Sequence, residues 1–480
     1  MRFSLLRERI QATREKKGKA MDLVIKNAKV VTHSETTAAA IGVDGGKIVA
    51  IAPAEMMPRA ERVIDAAGKH VLPGAIDPHT HLAYGEYFQI PFAKTVPTET
   101  GACALGGVTS VASYMRRVKT GLLPHLDNLK RDFEQNSYID GFFHMMVADE
   151  ANLEQIADAP ARGIVGFKFM MGYKGPQAAA LGIPPIDDGF VLEGFNRIKK
   201  LGFPSYGMVH CENIDISLWL RKSIEASGRQ DAEAWFDTRP NFVEEECIHR
   251  AIFLAKVAGC PLYIVHNTIG ESVAIIARAK AEGVKVVMET CPQYLTHNYD
   301  DLAPIIRDNP VFANVNPPLR HKADNELLWQ GIRDGVVDTM GSDHVCVTRE
   351  LKGKDMWKAP MGLGNCTQLI LPVMLSEGVN KGRIPLEKVA EVCSYNPARV
   401  FGLYPRKGTI AVGSDADLVI VDLEKKVKFS YTMSPSLCDW NIYEGWEFRG
   451  FPVTTIVRGE VVADGGKLVG KPGYGRYLHG

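Results

Sequence analysis

Two histidines one residue apart, His79 and His81, close the apolar run over residues 71–81. Residues two apart on a strand project to one side, so both imidazoles aim at one point. A divalent metal ion asks this of its ligands. Such a pair arises by chance often enough to carry little weight alone. Three other apolar runs also end in ligand-type residues: Tyr206-Gly-Met-Val-His210, Leu262-Tyr-Ile-Val-His266 and Val337-Asp-Thr-Met-Gly-Ser-Asp343. A lone histidine at a strand end is usually a hydrogen-bonded structural residue. Four histidines and an aspartate at such ends are hard to explain that way and point to a metal centre.

Lys168 is the unusual member. In Gly163-Ile-Val-Gly-Phe-Lys168-Phe-Met170, alternation puts Ile164, Gly166, Lys168 and Met170 on one face and Val165, Phe167 and Phe169 on the other. With the bulky face packed outward, Lys168 points at the same centre. An ammonium about 4 Å from a divalent ion is repelled by roughly 8 kcal/mol at an effective dielectric of 20. Beside metals the amine must be neutral or changed in sign. Carbamylation by CO2 turns it into an anionic oxygen ligand able to bridge two ions. A lysine that snorkels to solvent is the other reading, and at this point both stay open.

These residues need a scaffold that gathers strand ends. Across 71–404, short apolar runs begin near Val71, Gly107, Gly141, Gly163, Pro204, Pro261, Val284 and Val336. Helical patterns lie between them, such as 243–258 and 271–282, the latter closed by Gly283. Eight strands alternating with helices is the count of an α/β fold of the (β/α)8 TIM barrel type, whose active sites sit at the C-terminal strand ends. A doubly wound open sheet is the second choice. The stretches 21–70 and 405–480 are β-rich, with hairpin turns at Asp44-Gly45-Gly46 and Asp464-Gly465-Gly466. Neither holds enough strand to bury a core alone, so the two ends are expected to build one small β-sandwich domain. Residues 1–20 carry seven basic and two acidic side chains and lack the apolar core of a secretory signal. They read as an N-terminal extension outside the fold.

Fifty-six basic and 56 acidic residues cancel, so no global charge attracts nucleic acid or an anionic membrane. No run reaches the roughly 18 apolar residues that a membrane span needs. The nine cysteines are odd in number, scattered and free of CxxC pairs, which reads as reduced thiols in the cytoplasm.

Taken in order, Pro78-His79-Thr-His81, Gly166-Phe-Lys168-Phe-Met-Met-Gly-Tyr173-Lys174, Val209-His210-Cys-Glu-Asn213, Glu289-Thr-Cys-Pro-Gln-Tyr-Leu295, Asn316-Pro-Pro-Leu-Arg320 and Gly341-Ser-Asp343-His344 resemble the dihydropyrimidinase/hydantoinase family of the amidohydrolase superfamily. The resemblance covers nearly everything from Met21 onward. It implies two divalent ions per chain, usually zinc, with His79, His81 and Asp343 on one ion and His210 and His266 on the other. Lys168 would be an N6-carboxylysine, its CO2-derived carbamate bridging both ions beside a hydroxide. Two dications less three anions leave a residual +1, suited to polarising a carbonyl. The implied reaction is attack of that hydroxide on a ring amide carbon. Asp343 would shuttle the proton and Tyr173 would hold the oxyanion. Family members are commonly homotetramers.

The chain also departs from the family pattern. Asn316 stands where the family commonly has serine before Pro-Pro-Leu-Arg, and Met361 where Pro-Asn-Gly has its substrate-binding asparagine. Both positions are expected at the substrate, as are Tyr84 and Phe88 from the aromatic loop after His81, which also holds Tyr87 and Phe92. Leu82 replaces the arginine with which dihydroorotases hold a carboxylate. The expectation is a metal-dependent hydrolase opening a C–N bond in a cyclic ureide or imide, its partner a small molecule. Allantoinase-like or lactam and imide ring opening is the alternative. A catalytically inactive dihydropyrimidinase-related scaffold is the non-enzyme alternative, disfavoured because every ligand candidate is retained.

Overall fold

The computed structural model describes residues 20–479 except residue 365. The expected extension over residues 1–20 lies, but for Ala20, outside the described residues.

One sheet is parallel and built from the middle of the chain. Its strands are Ala75–His81, Val108–Met115, Asp140–Met146, Gly166–Met170, Tyr206–His210, Leu262–Ile264 and Val286–Thr290, each paired with the next. The final segment closes it from both sides. Thr339–Met340 pairs with Val286–Thr290, and His344–Val345 pairs with Ala75–His81. Eight chain segments therefore complete a (β/α)8 barrel. Helices such as Phe92–Leu105, Asp188–Lys199, Asn241–Ala258 and Glu271–Ala281 intervene. Asp149, Asp187, Asn213 and Asp231 cap helix N-termini through their side chains, and Asp149 and Asn213 thereby fix where two of the strand-to-helix loops stop.

The alternation around Lys168 holds from Gly166 onward. Phe167 and Phe169 pack outward, Phe169 edge-on to Phe195 of the helix Asp188–Lys199 at 5.5 Å. Ile164 and Val165 are exchanged relative to the sequence reading. They precede the strand, so its period does not reach them: Ile164 joins the outer core and Val165 the barrel interior. Phe401 fills that interior against Phe142 and Tyr263.

The run over 71–81 is also two strands, not one. His70–Pro73 belongs to the second sheet, and the barrel strand starts at Ala75. Gly74 makes the crossing, where a Cβ would lie 2.2 Å from Thr109 Oγ1. The second sheet is mixed and nine-stranded, and both ends of the chain build it. His70–Pro73 is its seam, parallel to Met21–Val31 and antiparallel to Leu418–Lys428. Leu23, Ile25, Ile41 and Val43 from the front of the chain share one core with Leu418, Ile420 and Ile456 from the back. The hairpin at Gly45 and Gly46 uses φ of 58° and 74°, which an L side chain adopts only with strain. Among the described residues, no helix is long and apolar enough to cross a membrane.

A buried charge cluster ties the two sheets together. Lys407 reaches Asp140 of the barrel at 2.5 Å, Asp415 at 3.0 Å and Asp417. Arg458 also pairs with Asp140. Asp140, Asp415 and Asp417 lie close enough to hold a metal ion, but Lys407 and Arg458 already supply the positive charge. Removing Lys407 leaves carboxylates buried without a counter-charge. Lys407→Met is expected to lower unfolding free energy in urea at pH 7 by about 3–5 kcal/mol. A loss below about 1 kcal/mol would show that the cluster does not join the sheets.

Candidate metal centre and active site

Four histidines and Asp343 stand at or just past the C-terminal ends of barrel strands, and Lys168 joins them from inside one. His79 and His81 end the first and His210 ends the fifth. His266 follows the sixth, Lys168 lies within the fourth, and Asp343 lies in the closing segment. His266 and Asp343 have φ of 38° and 52°, uncommon for residues with a Cβ. Such strain persists only where the surroundings hold it. The backbone N–H of His266 donates to Glu289 at 2.9 Å, and that of Asp343 donates to the His79 carbonyl at 2.9 Å.

The side chains converge. Asp343 Oδ1 lies 3.1 Å from His79 Nε2 and 3.2 Å from His81 Nε2. His210 Nδ1 and His266 Nε2 are 2.8 Å apart. Lys168 Nζ sits 3.4 Å from His79 Nε2 and 4.5 Å over the Tyr114 ring, with only 1% of the residue exposed. The lysine therefore does not snorkel.

Two glutamates set the imidazoles. His79 Nδ1 donates to Glu289 at 2.6 Å, which turns the Nε2 lone pair toward Asp343 and Lys168. Glu289 is fixed in turn by the Tyr263 hydroxyl at 2.6 Å. His210 Nε2 donates to Glu212 at 2.7 Å, which leaves Nδ1 as the free donor atom. Arg239 pairs with Glu212 at 3.4 Å.

The electrostatics suit metal ligands. Burial pushes His81 down to about 4 and lowers His210 and His266 as well, so these imidazoles are neutral at physiological pH. Burial also raises Asp343, but the charge of His79 and the hydrogen bonds from His79 and His81 outweigh it and hold the carboxyl well below its usual range. Burial lowers Lys168 to about 8, against the pull of Asp343 and Glu289, so the amine is still mostly protonated at pH 7 but far easier to deprotonate than a free lysine. On His79 burial and Lys168 push down, but Glu289 and Asp343 outweigh them and raise it, so a metal ion competes with a proton there. Neutral imidazoles, a carboxylate and an amine that loses its proton readily form a donor set fitted to hard or borderline divalent ions.

The ligand group floors a cavity. Tyr84, Tyr173, Asn316 and Met361 line it, as expected of substrate contacts. Asn316 Nδ2 donates to Met361 Sδ at 2.6 Å, so the two departures from the family pattern touch each other. Tyr173 stands edge-on to His210 at 5.1 Å. Phe88 is not on the wall: it packs behind Tyr84 at 5.6 Å, and Tyr87 lines the cavity instead. Phe92 is buried against Phe143. The sequence reading gave no role to Glu289, Glu212 or Arg116. Glu212 shares the two-residue spacing of His79 and His81 and could have been found that way. Nothing comparable marked Arg116.

The sequence profile of the amidohydrolase family matches residues 223–462. The D-hydantoinase of Ralstonia pickettii is 36% identical over 472 residues, covering 95% of this chain and 98% of that protein. The allantoinase of Rubrobacter xylanophilus is 34% identical over 477 residues, covering 96% and 98%. The solved structure of the L-hydantoinase (dihydropyrimidinase) from Arthrobacter aurescens superposes with a TM-score of 0.87 at 35% identity, covering 96% of this chain and all of that one. The chain belongs to the amidohydrolase family, in its dihydropyrimidinase/hydantoinase branch.

Glu212→Gln removes the charge that fixes the His210 tautomer. Metal affinity, measured by competition with a chromogenic chelator, is expected to fall about 10–100-fold. An unchanged affinity would mean that Glu212 does not orient His210.

Proposed function

We propose that this protein is a metal-dependent hydrolase that opens a ring C–N bond of a cyclic amide, of the dihydropyrimidine, hydantoin or related ureide and imide class. The observation that carries the reading is the convergence of His79, His81, Lys168, His210, His266 and Asp343 on one buried point at the floor of a cavity. His79, His81 and Asp343 would hold one ion and His210 and His266 the other, with Lys168 shared. Nitrogen and oxygen ligands of this kind suit zinc. Bound there, two divalent ions supply Lewis acidity that lowers the pKa of water and polarises a carbonyl.

The side chains do the rest. Lys168 reacts as its neutral amine: the nitrogen lone pair bonds to the carbon of CO2 and the amine sheds a proton, leaving a carbamate. Its lowered pKa keeps that neutral form populated. Asp343 accepts a proton at its carboxylate and returns it to the departing ring nitrogen. Tyr173 donates its phenolic hydrogen to the carbonyl oxygen as negative charge builds there. Burial raises the Tyr173 phenol, which keeps that hydrogen in place. Asn316 has used an N–H on Met361, and its buried Oδ1 has no hydrogen-bond partner. That acceptor favours a ring that presents an N–H, as cyclic ureides do. The match to an allantoinase supports allantoinase-like ureide opening as the second reading.

Nine buried free cysteines support a reducing, cytoplasmic setting. Assembly as a homotetramer rests on the family resemblance.

A panel of dihydropyrimidines, hydantoins, cyclic imides and lactams, followed by loss of ring absorbance, tests the activity. Ring opening is expected for at least one ureide, to vanish on chelation and to return with zinc and bicarbonate. Turnover that survives complete metal removal would contradict the reading. Tyr173→Phe is expected to lower kcat by about 10²–10³ with little change in KM. The opposite split would make Tyr173 a binding residue only.

A further inference from the structure

Outside the metal-ligand set, Arg116 is the only charged side chain among the described residues that line the cavity. It directly follows the barrel strand Val108–Met115 and so stands on the same rim as the ligands. The residue is 8% exposed. Its guanidinium carbon lies 3.8 Å over the centre of the Tyr87 ring. Among the described residues, no carboxylate pairs with it and its guanidinium makes no hydrogen bond. The nearby acid is already taken: Glu86 pairs with Arg117 at 2.9 Å. The other groups facing Arg116 are the phenols of Tyr84, Tyr87 and Tyr173, all raised by burial and so neutral.

A guanidinium keeps its charge at any pH the fold survives. Holding one mostly buried without an anion is costly. The contact with Tyr87 holds the group in place while none of its five N–H donors is used. The guanidinium opens onto the cavity, so an anion that enters there meets a held cation with no carboxylate partner among the described residues.

We propose that Arg116 binds a carboxylate carried by the substrate, so that the preferred substrates are cyclic amides with an anionic side group. This rests on the ring-opening reading above and names its substrate class. One guanidinium matches one carboxylate through two parallel hydrogen bonds. A dianionic phosphate would ask for a second cation, and the wall outside the metal centre offers none among the described residues. Leu82, where dihydroorotases carry their arginine, is wholly buried and off the cavity wall. The anion is met instead from the neighbouring strand. Hydrolysis of such a ring sends the hydroxyl of water to the carbonyl carbon and its proton to the nitrogen, giving an open-chain dicarboxylate.

The test uses hydantoin-5-acetic acid and its carboxamide, which differ in charge and little in size, on the metal-replete full chain. The native protein is expected to favour the acid over the amide by about tenfold or more in kcat/KM, mainly through KM. In Arg116→Met that ratio falls toward one, and Arg116→Lys retains part of it. A native ratio of one or less overturns the assignment, as does a ratio that Arg116→Met leaves unchanged, which would reduce Arg116 to a support for the Tyr87 loop. Should Arg116→Met fail to fold, the native ratio and the lysine variant decide. Calorimetric binding of the same pair is independent of turnover. If neither ring opens, nor any ring of the panel above, yet the acid binds at least about tenfold tighter and the variant removes the difference, the ring-opening reading fails and the Arg116 site stands. Equal binding of acid and amide by the native protein overturns the site.

Discussion

The side chains that end the barrel strands present buried lone pairs and a carboxylate that each need a proton or a metal ion as partner. His210 Nδ1 and His266 Nε2 face each other at 2.8 Å, with the His210 proton committed to Glu212 on the far side of its ring. The His210 Nδ1 lone pair is met either by a proton on His266 Nε2, which needs no net charge, or by a metal ion that both nitrogens bind. Asp343, between His79 and His81, asks for the same compensation. Burial then decides which cation is suited: it disfavours protonated His81, His210 and His266, and it drives the Lys168 amine toward its neutral form. A metal ion satisfies lone pairs without charging the imidazoles. The site is thus arranged so that its own electrostatics are best relieved by divalent ions.

The rest of the fold keeps that arrangement from relaxing. The barrel closes through the segment that carries Asp343, so the last ligand is placed by the same pairing that completes the sheet. Glu289 receives hydrogen bonds from His79, from the His266 backbone and from Tyr263, and so links three barrel strands behind the ligands. The sheet built by the two chain ends packs its own core and is joined to the barrel through Lys407 and its three aspartates. Rigid elements hold the donors, while the loop carrying Tyr84 and Tyr87 shapes what enters.

Much of this was legible in the residues because strand geometry has a strict period. The spacing of His79 and His81, and the bulky outward face around Lys168, follow from alternation alone. That logic stops where strands stop. Ile164 and Val165 exchange faces just before Gly166, and the run through Gly74 splits between two sheets at a point where Thr109 leaves no room for a side chain. The aromatic loop after His81 has no such period. Its pattern announced aromatics at the cavity, but packing decided that Tyr84 and Tyr87 face it while Phe88 stands behind. Glu289 and Arg116 act through contacts between segments far apart in the chain, and their own sequence neighbourhoods say little of that, whereas Glu212 acts on His210 two residues away.

We propose that these six side chains hold a pair of metal ions bridged by a carboxylated Lys168. Crystals grown with zinc and bicarbonate, with data collected on both sides of the zinc absorption edge, test it most directly. The account predicts two anomalous peaks, one beside His79, His81 and Asp343 and one beside His210 and His266, with density for a carbamate on the lysine reaching both. A cavity without anomalous signal, holding an unmodified amine under those conditions, would contradict it.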